Sequence, residues 1–346
     1  AALMGWKCGL SAGASLIAVL LAGLVHAGIQ QPPKLILQIT VDQLRGDLPT
    51  RYLDRLGEGG FRYLLEKGTH YTNAHYQHAN TETIVGHTVL ATGAFPSAHG
   101  MVANVWLDRA SGQLTYNIED SAYELLTAGA SVDRKTEIDP TQKAARSEGR
   151  SPRSILASTF SDELFVSNGG QSKIFAVSVK DRGAVALAGH AGKAFWFSKK
   201  KGEFVTSSYY YQAYPDWVGE WNARSLADRY KETSWSLLNE RSTYLFGEAD
   251  DRPFEADFAG FGRTFPHPYG HDPKYFYTLL TLSPAGDERV LDFAKAALVG
   301  ERLGQGAYSD YLSVSFSSTD YVGHVFGPSS LEAEDNILRL DRTLAN

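Results

Sequence analysis

Asp320 and His324 stand four residues apart, just after the apolar run Tyr311-Leu-Ser-Val-Ser-Phe316. A carboxylate and an imidazole are a hard oxygen donor and a borderline nitrogen donor, the set that suits zinc. The run before them reads as a buried strand. Near the other end, Leu35-Ile-Leu-Gln-Ile-Thr-Val41 reads as a second buried strand and delivers Asp42 at its end. In an open parallel sheet, ligands collect at the carboxyl ends of strands. Between these stretches lies Thr81-Glu-Thr83-Ile-Val-Gly-His87-Thr, a hydroxyl placed where a helix begins. Free amides and the positive dipole end at a helix start attract a phosphate. Metal ligands beside such a hydroxyl point to phosphoryl transfer through a threonine.

Each residue also has a plainer reading. Asp42 alone is a helix cap or a loop hydrogen-bonder. Thr83 alone is an N-cap, and Thr81 is a rival hydroxyl; Thr83 is preferred because Gly86 and His87 come after it. Lys180 and Arg182 come after the apolar run Ser172–Val179 and flank Asp181. Alternate residues of an extended strand end point the same way, so both cations can face one anion. A planar fork beside a point charge matches a phosphoryl group; the plainer reading is a solvated strand end. Asn104 is either a turn residue before a hairpin or an oxygen-binding amide.

The elements that must hold these residues alternate between strand-like and helical runs, the pattern of an α/β protein with an open, mostly parallel sheet flanked by helices. Asp47–Lys67 has helical spacing broken by Gly57, Gly59 and Gly60, and Thr83–Thr92 is a helix closed by Gly93. Asn104–Asp108 and Gln113–Asn117 pair as a hairpin, Ser154–Ser167 is a helix, Ser172–Val179 a buried strand, and Asp287–Val299 a helix. The stretch 194–277 is rich in tyrosine and tryptophan and reads as an inserted cap whose rings pack on one another, or as an aromatic ligand platform. Leu331, Ile337, Leu338, Leu340 and Leu344 mark a last helix, which has no stop signal before Asn346. Both ends have the look of a piece of a longer chain.

At 346 residues with 43% hydrophobic content and a net charge of −6, the composition is globular. Acidic and basic residues are interspersed, and no basic block offers a track for nucleic acid. Lys7 precedes the apolar run Leu16–Val25, and Val25-His-Ala27 suits a signal peptidase. That run is short for a membrane span, which takes about 20 apolar residues, so no stable membrane anchor is expected once it is cleaved. The single cysteine, Cys8, falls inside this segment. A cysteine-free exported chain fits a periplasmic or secreted protein.

Taken in order, these stretches resemble the alkaline phosphatase superfamily, and within it the bacterial zinc alkaline phosphatases with a threonine nucleophile and a Lys-x-Arg pair. The matching stretches are Gln38–Asp47, Ala79–Gly93, Pro96–Trp106, Val179–Ala184 and Ser317–His324, within a catalytic domain covering 34–346. The resemblance implies two zinc ions and small phosphate esters as substrates. Thr83 would form a phosphothreonine, with Asp42 binding the zinc that activates it. Asp320 and His324 would bind the second zinc, while Asn104, Lys180 and Arg182 would hold phosphoryl oxygens. The family's remaining ligands, an Asp-His pair and a last histidine, would lie beyond Asn346, so this stretch alone is expected to be inactive. Nucleotide pyrophosphatase/phosphodiesterase activity is the sister reading, and a phosphate-binding remnant the non-catalytic one. The C/S-x-P-x-R motif of a sulfatase is absent.

Overall fold

Alternating apolar residues build the framework in the computed structural model, which describes residues 31–346. The targeting segment expected at 1–27, with Cys8, lies outside the described residues. Strands β1 (Leu35–Val41), β4 (Ile174–Ser178), β5 (Lys193–Ser198), β6 (Glu203–Val205) and β9 (Asp310–Phe316) form one sheet in the order β1-β9-β4-β5-β6. All its pairings are parallel except that of β6 with β5. Two antiparallel ribbons stand apart, β2 (Val105–Asp108) with β3 (Gln113–Tyr116), and β7 (Ser234–Trp235) with β8 (His267–Pro268).

The sheet sends successive side chains to opposite faces. Phe175, Val177, Phe195 and Phe197 face one core, while Ala176, Ala194 and Trp196 face the other. The second core is closed by α3 (Thr83–Thr92) and α6 (Asp181–Ala188). On the first lie α9 (Pro284–Gly300), α10 (Ser318–Phe326) and α11 (Leu331–Ala345). Shorter helices are α1 (Leu48–Arg51), α2 (Phe61–Lys67), α4 (Pro96–His99), α5 (Phe160–Ser167), α7 (Asp216–Ala223) and α8 (Phe276–Thr281). Among the described residues no helix is long and apolar enough to cross a membrane.

Several sequence expectations need correction. Among the described residues strand β1 lies at the edge of the sheet with Leu37 and Ile39 exposed, unlike the fully buried β9. The helix expected from Ser154 begins only at Phe160. Thr159 caps it there, accepting from the Asp162 amide while the Asp162 side chain accepts from the Thr159 amide, a capping box that sets the start. The aromatic stretch 194–277 begins inside the main sheet as β5 and β6; the rest packs its rings (Trp221, Trp235, Tyr244, Phe261) into the first core. Those rings are core rather than an open platform, because their neighbours are other buried rings.

Asp162 also ties α5 to the loop after α6, through His190 Nδ1 at 2.7 Å and the backbone amides of His190 and Ala191. Burial opposes ionisation, yet these hydrogen bonds pull the Asp162 carboxyl down to about 2. The His190 imidazole is raised above its ordinary value, chiefly by its bond to Asp162. A raised imidazole stabilises the fold below its unfolded value and loses that contribution as pH rises through the folded one. A depressed carboxyl contributes above its unfolded value and loses that as pH falls. The charged pair therefore acts between about pH 4 and 6.5. His190→Gln is expected to cost about 0.5–1 kcal/mol at pH 5, discounted for exposure, and clearly less at pH 9. Urea melts at both pH values check this, and equal losses would contradict it.

Candidate active site

Topology gathers the site. Strand β9 lies between β1 and β4, with Val41 beside Phe316 and Ser178 beside Ser315. Three neighbouring strands thus end at one place, the situation in which parallel sheets bind ligands. After β1 comes Asp42, after β4 comes Lys180, and β9 runs into α10, which carries Asp320 and His324. Gly323 leaves room here for the side chain of Gln43, the residue next to Asp42: a Cβ would lie 2.1 Å from its Oε1.

Lys180 is at the centre and fully buried. Its Nζ donates to Asp42 Oδ2 at 2.6 Å, to Asp320 Oδ2, and to Thr83 Oγ1 at 3.3 Å. Burial alone would depress its ammonium, but Asp42 and Asp320 outweigh that and hold it charged, above its ordinary value. The Tyr321 ring lies 4.7 Å from the same Nζ. Thr83 Oγ1 faces Asp42 Oδ2 at 3.2 Å. His324 Nε2 stands 3.3 Å from Asp320 Oδ1 across one turn of α10. Burial of Asp320 opposes its ionisation, yet Lys180 and His324 keep it well below the usual carboxylate range.

Thr83 is not the cap of its helix. Glu82 occupies that position without a side-chain cap bond, and Thr83 is the first helical residue. Its hydroxyl is therefore free to face Asp42. The amide of Ile84 is capped instead by Asn104 Oδ1 at 3.1 Å, which leaves Asn104 Nδ2 without a hydrogen bond among the described residues. Thr81 is exposed and outside the cluster. His87 is a strut, joining Thr83 O to Ser315 Oγ at 2.8 Å each. Burial lowers its imidazole, which keeps it neutral.

Lys180 and Arg182 do not alternate along a strand, as their spacing suggested. Strand β4 stops at Ser178, Lys180 caps α6, and Arg182 sits in its first turn. Arg182 Nη1 forms an ion pair with Asp139 Oδ2 at 2.8 Å and donates to Tyr116 Oη at 3.3 Å. Its Nε is buried with no partner, a costly condition that an anion would relieve.

Sequence reasoning missed the support of Arg182: Asp139, Tyr116, and the Asp181–Arg150 pair at 2.7 Å. It also missed Glu82, which accepts from the Asn104 amide at 2.5 Å. The one local signal was Asp139-Pro-Thr141, a short side chain poised to bond its own backbone two residues on, as it does at 2.9 Å.

The donors Asp42, Thr83, Asp320 and His324 fit zinc in kind but not in number. Among the described residues no group of three or more His, Asp or Glu could hold a metal ion, whereas a zinc site takes at least three protein ligands.

The chain matches the family model of type I phosphodiesterase / nucleotide pyrophosphatase over residues 36–346. It is 38% identical over 315 residues to alkaline phosphatase PhoV of Synechococcus elongatus, covering 90% of this chain and 54% of that one. With alkaline phosphatase PafA of Elizabethkingia meningoseptica it shares 35% identity over 319 residues, or 91% of this chain and 56% of that one. A crystal structure of wild-type alkaline phosphatase PafA superposes with a TM-score of 0.82 at 34% identity, covering 90% of this chain and 58% of that one. The chain thus spans about half the length of the curated relatives it matches.

Proposed function

This chain belongs to the alkaline phosphatase superfamily and, within it, to the type I phosphodiesterase / nucleotide pyrophosphatase family; from that premise we propose that the complete protein hydrolyses phosphate monoesters through a phosphothreonine at Thr83. The observation that carries the proposal is the convergence of Asp42, Thr83 and Lys180, within 3.3 Å of one another, at three adjacent strand ends.

Thr83 Oγ1 is the attacking atom, and Asp42 Oδ2 is the acceptor that its proton faces. An ammonium has three donors: two serve Asp42 and Asp320, and the third reaches Thr83 Oγ1, where the phosphoryl group would attach. Asn104 Nδ2 and the unpartnered Nε edge of Arg182 supply further donors for its oxygens. In the complete protein, Asp42 and Thr83 would belong to one zinc ion and Asp320 and His324 to a second, with the remaining ligands coming from elsewhere. Zinc, when bound, supplies Lewis-acid charge that lowers the pKa of a hydroxyl. Export to a periplasm or medium is part of the same proposal, resting on residues 7–27.

The family description also covers diesterases. The buried ammonium of Lys180 beside the nucleophile, with the buried guanidinium of Arg182 two residues on, favours the monoester, whose dianion carries one more charge than a diester. The complete reading frame containing this chain is expected to turn over nitrophenyl phosphate at least about tenfold faster, in kcat/KM, than bis-nitrophenyl phosphate, about 1.4 kcal/mol of barrier. A preference for the diester would overturn the monoesterase reading.

A further inference from the structure

We propose that Asp139 is the positioning residue that presents Arg182 to the phosphoryl group, an inference that rests on the phosphate role given to Arg182 above. A guanidinium binds an anion best through two parallel N–H bonds from one edge. Arg182 Nη1 is engaged, by Asp139 Oδ2 at 2.8 Å and Tyr116 Oη at 3.3 Å, while Nε is buried and unpartnered. The grip thus falls on the end away from Nε and leaves the side edge free. An unmade buried hydrogen bond is costly, and a phosphoryl oxygen on that edge would offset the cost at Arg182 Nε.

Asp139 is itself aimed. Its Oδ1 accepts from the Thr141 amide at 2.9 Å and the Thr141 hydroxyl at 2.6 Å, which turns Oδ2 toward Arg182. Burial opposes its charge, but Arg182, with Lys180 and Lys199, holds the carboxyl well below the usual range. On the other side Tyr116 donates to Asp181 Oδ1 at 2.6 Å, so that its oxygen is left to accept from Arg182. Asp181 is held by Arg150 Nε at 2.7 Å, and Arg150 Nη1 is anchored on the carbonyls of Ser147, Glu148 and Gly149. Arg182 is therefore fixed from two directions, and of the two only Asp139 bears a charge.

The test is a double-mutant cycle in the complete protein, read as kcat/KM for nitrophenyl phosphate. Asp139→Ala is expected to lower it by up to about 100-fold, the scale of an ångström of misplacement. In an Arg182→Ala background the same change should cost less than about threefold, because the residue it positions is gone. Asp139→Asn, close in size and still able to accept from Thr141, should fall between wild type and Asp139→Ala, and it carries the cycle if the alanine variant does not fold. Equal losses in both backgrounds would overturn the proposal and leave Asp139 a general support of the fold. If Arg182→Ala itself turned over monoesters like wild type, the failure would belong to the phosphate role of Arg182, and Asp139 would lose its assigned purpose with it.

Discussion

Replacing Thr83 with alanine is expected to lower kcat/KM for a phosphate monoester on the order of 10³-fold or more, and to abolish any covalent phosphoenzyme. The size stems from the place of the hydroxyl. Thr83 is buried at the first position of α3, with Asp42 Oδ2 3.2 Å and Lys180 Nζ 3.3 Å from its Oγ1. No other hydroxyl among the described residues occupies that position. Thr81 is exposed and makes none of these contacts, so Thr81→Ala should change turnover by less than about threefold. Thr83→Ser keeps the hydroxyl and should retain activity. The structural cost of Thr83→Ala is two buried hydrogen bonds, to Asp42 and from Lys180, about 1 kcal/mol each, small against the expected loss of turnover. Acid-quenched reactions with a radiolabelled substrate would separate the cases. Full activity in Thr83→Ala, or label surviving on it, would remove threonine catalysis from the proposal.

Much of this arrangement was legible in the sequence, for a particular reason. Residues at strand ends inherit their position from the sheet, and a buried strand announces itself by its apolar run. Leu35–Val41, Ser172–Val179 and Tyr311–Phe316 all sit in one sheet, and the polar residues just past each run meet at one end. The order of those strands was not legible. That β9 enters between β1 and β4 is a tertiary choice, which the apolar runs themselves do not encode.

The residues missed share another property. Asp139 belongs to an irregular stretch with no period to read, and Tyr116, Asp181 and Arg150 find their partners only in three dimensions. Side-chain direction failed in the same way at Lys180 and Arg182. The apolar run continues to Val179, but the regular strand ends at Ser178 and the helix begins at Asp181. Lys180 is the cap and Arg182 is already on the first helical turn, so strand alternation does not relate them. Lys180 reaches Asp42 and Thr83 by a different path from the one its spacing implied, while Arg182 pairs with Asp139 and Tyr116.

Lys180 carries the second large effect, and it has two parts that one substitution separates. In the metal-free chain its ammonium is the only cation paired with both Asp42 and Asp320 among the described residues. Lys180→Ala leaves two buried carboxylates facing each other, and breaking a buried pair in this way costs about 3–5 kcal/mol. The melting temperature of the metal-free protein should therefore fall sharply. In the complete protein added zinc should recover much of the loss, since the two ions proposed there would compensate the two charges. The catalytic part concerns the third N–H, which reaches Thr83 Oγ1. Losing a donor aimed at developing charge costs on the order of 10²–10³-fold in kcat, and the loss should be larger for nitrophenyl phosphate than for bis-nitrophenyl phosphate because the monoester carries the extra charge. Thermal melts with and without zinc, with kcat/KM on both esters, read the two parts independently. An unchanged melting temperature in the chelated variant would refute the counter-ion role. Equal losses on the two esters would refute the charge-matching role, while Lys180→Arg, which keeps the charge but not the compact shape, should restore stability more than turnover.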